Sequence, residues 1–144
     1  MKVYLAYQFT AEDREAVGDR LRRVREGLVS LGIGVKCPYF DVPARKRAQF
    51  SHKQMMLAGF EMLKTCDLVL ALQSSERRSE GMLMEVGFAW GRDIPVIVAT
   101  HSAVGPTNLP PMGQWQITWD HEAELVQALQ SLEVMKLAGV TIAA

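Results

Sequence analysis

The sequence predicts an α/β protein: a five-stranded parallel sheet wound on both faces, the three-layer Rossmann or flavodoxin-like arrangement. Three observations carry this. Short, β-rich and almost wholly apolar segments (KVYLAY, DLVLAL, IPVIVA) recur along the chain, which is how strands covered on both faces read. Between them run segments whose apolar residues repeat at three- and four-residue steps, the mark of helices with one buried stripe. Strands alternating with helices imply parallel pairing, with helices on both sides of the sheet.

Each element follows from its own residues. Lys2 to Tyr7 is the expected first strand. Thr10 and Asp13 have capping-box spacing with Asp in place of Glu, and open a helix to about Leu31 whose stripe is Val17, Leu21, Val24, Leu28 and Leu31. Gly32 ends it, and Ile33 to Cys37 is a short second strand. Pro38 to Phe50, with its prolines and the run Arg45-Lys46-Arg47, reads as irregular. Ser51 and Gln54 again have capping-box spacing and start a helix through about Thr65. Asp67 to Leu72 is the third strand, Gln73 to Glu80 a polar loop, and Gly81 to Trp90 a helix that Gly91 stops. Ile94 to Ala99 is the fourth strand, His101 to Gln114 a Pro- and Gly-containing loop, and Gln116 to Trp119 a short fifth strand. Asp120 then caps a last helix to about Leu137.

The chain has 144 residues, 49% of them hydrophobic and 22% charged, with 16 basic and 16 acidic side chains. That is a globular composition sized for one domain. Zero net charge argues against a dedicated nucleic-acid binder, which needs a basic excess. No apolar run reaches the ~18 residues of a membrane span, and the N-terminus lacks a signal peptide's long apolar region. Cys37 and Cys66 form no CxxC, and nothing points to a disulfide framework, a metal or a cofactor. A reduced, cytoplasmic, single-domain protein is expected. His52 and His101 read as loop or cap residues.

One residue does not fit its surroundings. Met82 to Trp90 (MLMEVGFAW) is apolar nearly all round, as a buried helix is, yet Glu85 sits in its middle. An unpaired buried carboxylate costs several kcal/mol, so it must be paired, protonated or used. Near a helix N-terminus the ionised form is favoured. An ionised, partly dehydrated carboxylate at the mouth of an α/β site suits a nucleophile attacking an anomeric carbon. The plain alternative is an ion pair with a neighbour such as Arg92. In parallel α/β sheets ligands bind at the carboxyl ends of the strands. Gln8 and Phe9, after the first strand, and the Gln73–Glu80 loop, after the third, should therefore border the site.

The order VYLAYQF, KTCDLVLAL, a polar loop, then SEGMLMEVGFAWGRDIPVIV resembles the nucleoside 2-deoxyribosyltransferase superfamily, including its 2′-deoxynucleoside 5′-monophosphate N-glycosidases. The resemblance spans about Lys2 to Ala99, and its most specific element is the Gly-x-x-x-Glu-x-Gly-x-Ala stretch from Gly81 to Ala89. It implies that Glu85 attacks C1′ and expels the base, that water or a second base resolves the covalent intermediate, and that Tyr4 holds the carboxylate in its attacking rotamer. Gly81 and Gly87 would allow close approach of substrate or a packed strand. It also implies an even-numbered homo-oligomer, a homodimer or larger, in which the loop carrying Asn108 reaches into a neighbour's site.

Two positions depart from the pattern. Where the transferases carry a proton-handling aspartate, this chain has Gly59; Glu61, Glu80 and Asp41 are the substitutes on offer. Where they carry a 5′-hydroxyl-binding aspartate, six residues before the nucleophile, this chain has Ser79, preceded by Arg77 and Arg78. A carboxylate there would repel a 5′-phosphate, whereas a hydroxyl at a helix N-terminus can donate to one. The expected ligand is thus a small-molecule nucleoside or nucleotide, with no nucleic acid or membrane partner. Two other readings compete: a Toll/interleukin-receptor-like domain cleaving the nicotinamide bond of NAD, and a non-catalytic nucleotide-binding module.

Overall fold

The computed structural model describes residues 1–9 and 12–131. Five strands, β1 (Lys2–Ala6), β2 (Gly34–Lys36), β3 (Leu68–Gln73), β4 (Val96–His101) and β5 (Trp115–Trp119), pair in parallel in the order β2-β1-β3-β4-β5. The helices are α1 (Arg14–Ser30), α2 (Pro38–Asp41), α3 (Ala44–Arg47), α4 (His52–Leu63), α5 (Glu80–Gly91) and α6 (Glu122–Gln130). This is the expected doubly wound α/β fold.

Residue alternation along the strands explains the two cores. Val3, Leu5, Leu68, Leu70, Leu72, Ile97 and Ala99 face one side, where they pack with Val17, Leu21, Val24 and Leu28 of α1 and Leu125 and Leu129 of α6. Tyr4, Ala6, Val69, Ala71, Val96 and Val98 face the other, against Leu63 of α4 and Met82, Val86 and Ala89 of α5. The central strands are apolar on both faces because both are covered. At ~1.5–3 kcal/mol for each fully buried Val, Leu or Ile, these faces dominate the fold's stability. The strand order reverses direction between β1 and β3, so the crevice for a ligand opens beyond Ala6 and Gln73.

Several boundaries differ from expectation, each for a local reason. Helix α1 starts at Arg14, and its cap is Asp13, whose Oδ1 accepts the Glu15 N–H at 2.9 Å; Thr10 lies outside the described residues. The segment after β2 is two single-turn helices, with Pro38 and Pro43 pre-set at their starts. Ser51 and Gln54 do form a reciprocal capping box. Helix α5 begins one residue early, at Glu80. Gly91 is still helical, and the chain turns instead at Asp93, which takes φ 57°. Gly32 does end α1, at φ 79°. Asp120 does not cap α6: its carboxylate accepts from Ser102 Oγ, and His121 stands at the cap without a side-chain bond. Helix α6 ends at Gln130, where Ser131 takes an extended ψ of 140°, short of the expected Leu137; residues 132–137 lie outside the described residues.

Candidate active site

Period-2 alternation turns Tyr4 of β1 toward the α4–α5 layer, where it is fully buried. Helix α5 carries Glu85 to the same place, six residues after its cap, Ser79. The influence of a helix terminus fades beyond the first turn. Burial therefore decides the protonation of Glu85, raising its carboxyl to about 7, while the Tyr4 hydroxyl acts in the opposite sense. The expectation that the helix end would favour the ionised form is corrected accordingly.

Glu85 has some access to the cleft, but its Oε2 is buried. Neither that atom nor Tyr4 Oη forms a hydrogen bond of ordinary geometry among the described residues, close though the groups are. Burial, reinforced by the neighbouring carboxylate, keeps the Tyr4 phenol protonated well above its ordinary range. Glu85 makes no ion pair with Arg92; the Arg92 guanidinium lies 5.6 Å from the centre of the Phe88 ring. Among the described residues the carboxylate thus has no ion-pair partner, and it is not fully solvated.

Glu85 and Tyr4 line a cleft of about 500 Å³, together with Phe9, Ser79 and Gly81. Five of the seven residues singled out from sequence come together there. Ser79 Oγ accepts the Met82 N–H at 3.3 Å, which caps α5 and leaves its own proton free to donate into the cleft. A Cβ at Gly81 would meet Met56 Sδ at 3.5 Å, an ordinary contact, and one at Gly87 would meet nothing within 4 Å, so neither glycine is demanded by packing.

Gln8 and Asn108 lie elsewhere, on a second cavity of about 490 Å³ across the Arg77–Ser79 loop, which lines both spaces at Arg78 and Ser79. Gln8 is buried, and its amide is engaged at both ends: Oε1 accepts from Ser74 N at 3.0 Å and Ser75 N at 3.1 Å, and Nε2 donates to the Arg77 carbonyl at 3.0 Å. It shapes the loop after β3. Gln73 does the same for the following segment, donating to Thr107 and accepting from Thr100.

Gly59 has a steric explanation. A Cβ there would lie 2.8 Å from Tyr4 Oη, so the hydroxyl occupies the room a side chain would need. Of the expected substitutes, Glu61 pairs with Lys64 at 2.7 Å and Asp41 accepts the Cys37 N–H at 2.8 Å; only Glu80 reaches the cleft. Sequence reasoning missed Tyr7, His52, Met55 and Met56, which also line it. A signal existed for His52: it is seven residues before Gly59 on one helix, and therefore on the same face. Cys37 and Cys66 are free and buried, and burial raises both thiols. No cluster of metal-ligating side chains forms among the described residues.

Comparisons with known proteins bear on the fold and the family. Among solved structures, the chain resembles the CMP N-glycosidase BcmB of Clostridium botulinum (TM-score 0.65, 22% identity, covering 90% of this chain and 97% of that one). It is also similar to a 2-deoxyribosyltransferase from Bacillus psychrosaccharolyticus (TM-score 0.58, 15% identity, 88% and 90%). A third likeness is to a deoxyribosyltransferase from Leishmania mexicana (TM-score 0.51, 16% identity, 69% and 63%). At these identities the likeness concerns the fold. No curated protein matches by sequence. The model of the nucleoside 2-deoxyribosyltransferase family, however, matches residues 3–130, and the chain belongs to that family.

Proposed function

We propose that this protein cleaves the N-glycosidic bond of a (deoxy)nucleoside or its 5′-monophosphate, with Glu85 as nucleophile and Tyr4 as the group that orients it. The observation that carries this reading is the unpaired Glu85 carboxyl beside Tyr4 Oη in an open cleft. In its ionised form Glu85 attacks C1′ as the bond to the base breaks, and water or a second base then releases the sugar. Burial strips the carboxylate of water, and with no ion-pair partner among the described residues the negative charge stays available for attack.

A 5′-monophosphate is favoured by Ser79 and Arg78 at the start of α5, both in the cleft, although Glu80 there opposes an anion. The Clostridium neighbour is described as a nucleotide N-glycosidase, which supports hydrolysis. The even-numbered homo-oligomer belongs to the same proposal: Leu57 of α4 and Met84 of α5, each 50% exposed, leave apolar surface on that layer. Gly59 in place of the family's acid favours a second reading, a non-catalytic binding module.

Chromatographic detection of free base from deoxynucleosides, their 5′-monophosphates and NAD separates these readings. Base release that falls about 1,000-fold or more in Glu85→Gln supports the nucleophile. A new nucleoside on adding an acceptor base would decide for transfer over hydrolysis. Nicotinamide release from NAD alone would move the reading to the NAD class. Ligand-induced stabilisation without turnover would favour binding alone.

A further inference from the structure

Beside the Glu85 cleft, away from the Gln8 and Asn108 cavity, lies a further chamber of about 720 Å³. Tyr7, Phe9, His52 and Met55 line both spaces, so the two adjoin. The chamber is aromatic: Tyr7 and Phe9 meet edge to face at 4.8 Å, and Tyr39 packs 6.0 Å from Phe9. Arg47 stands at its rim, 5.2 Å from the Tyr39 ring. Stacking faces bordered by a cation suit a planar, carbonyl-bearing heterocycle. The polar start of α5, with Arg78 and Ser79, lines the cleft but not the chamber.

Helix α4 joins the two regions. Its residues His52 and Gly59 point within about 20° of one another and stand roughly 10 Å apart along the axis. Gly59 lies under Tyr4 Oη, and so beside Glu85. His52, at the other end of that stripe, is exposed and makes no hydrogen bond among the described residues.

We propose that the chamber seats the base and that His52 is the proton donor to it as it leaves. The proposal rests on the Glu85 reaction above. The bond from Glu85 to C1′ forms as the C1′–N bond breaks; its electron pair passes to the base, which takes the imidazolium proton. The neutral imidazole then accepts a proton from the water that attacks C1′ and frees Glu85. Other groups are worse placed for this. Burial holds the Tyr4 and Tyr7 phenols above their ordinary range, which makes them weaker acids. Guanidinium groups do not give up a proton. Glu80 lines the cleft but not the chamber. Imidazole is the side chain that exchanges a proton most readily near neutral pH.

The test compares two leaving groups: the natural bases of the four 2′-deoxynucleoside 5′-monophosphates, and 4-nitrophenol on the same sugar phosphate, which departs without a proton. In single turnovers, which read the first bond cleavage alone, His52→Ala and His52→Gln should slow base release by about 100-fold or more yet change nitrophenol release only a few-fold, which also shows that the variants fold. Glu85→Gln should lose both. Equal losses on both substrates in the His52 variants, or no loss on either, would overturn the role of His52. So would a base-selective loss in Glu80→Gln instead. Wild-type protein that releases neither group would overturn the Glu85 reaction itself, and this inference with it.

Discussion

Tyr4 and Glu85 form a pair in which each group sets the properties of the other. The phenol is buried without a hydrogen bond of ordinary geometry among the described residues, and the carboxyl is dehydrated beside it. Leaving a buried hydroxyl unsatisfied costs about 1–3 kcal/mol, so fold stability alone does not explain a tyrosine here. Tyr4→Phe should therefore leave thermal stability unchanged or raised. Its effect should fall on the reaction. The hydroxyl lowers the Glu85 carboxyl against burial, so without it more alkaline solution is needed to ionise the proposed nucleophile. The rising limb of the pH–rate profile, set in the wild type by a group at about 7, should move to higher pH, with kcat down roughly 10- to 100-fold. A limb that stays in place would show that Tyr4 does not act on Glu85. The oddity of Glu85 was legible in sequence because one carboxylate interrupts an apolar helix. The expectation that Tyr4 stands beside it came from the family resemblance alone, since strand periodicity gives a side chain's face but not its partner.

At the scale of elements, α4 shows why sequence substitution tables mislead. Gly59 reads as a lost acid, but in the fold it is the space that Tyr4 Oη fills. Gly59→Ala brings two effects of opposite sign. Alanine in a helix interior is favoured over glycine by about 1 kcal/mol, whereas a Cβ at 2.8 Å from Oη forces a shift of the kind that costs about 1–3 kcal/mol. The clash should win, and Gly59→Ala should lower stability in urea denaturation. In a Tyr4→Phe background the oxygen is gone, so the same substitution should become stabilising. An effect of the same size in both backgrounds would refute the contact. Similar logic separates Gln8 from the site. Its position after β1 was readable from topology, but its three hydrogen bonds to the β3 loop were not, because they depend on two loops 66 or more residues apart meeting at the sheet's switch point.

For the whole molecule, strand apolarity, helix stripes and the capping box were enough to give the layers, since these local signals agree with the global packing. They left helix ends uncertain where competing partners intervene, as when Ser102 takes Asp120 away from α6. Glu85 is the place where this consistency fails, and the failure should register in global stability. In the unfolded chain a glutamate titrates near ~4.3, whereas in the fold the carboxyl holds its proton to about 7. The folded state therefore binds more protons between those values, and stability falls as pH rises through that window. Below about pH 4 the group is neutral in both states and costs nothing. Above about 7 the full penalty applies, up to about 3 kcal/mol. Glu85→Gln removes the titration while keeping the shape. Its unfolding free energy should match the wild type near pH 4 and exceed it increasingly toward pH 8, in the same variant that has lost turnover. A Glu85→Gln protein less stable than wild type at pH 8 would mean that the fold holds the ionised carboxylate in a favourable pairing, and a carboxylate so held is a poor nucleophile.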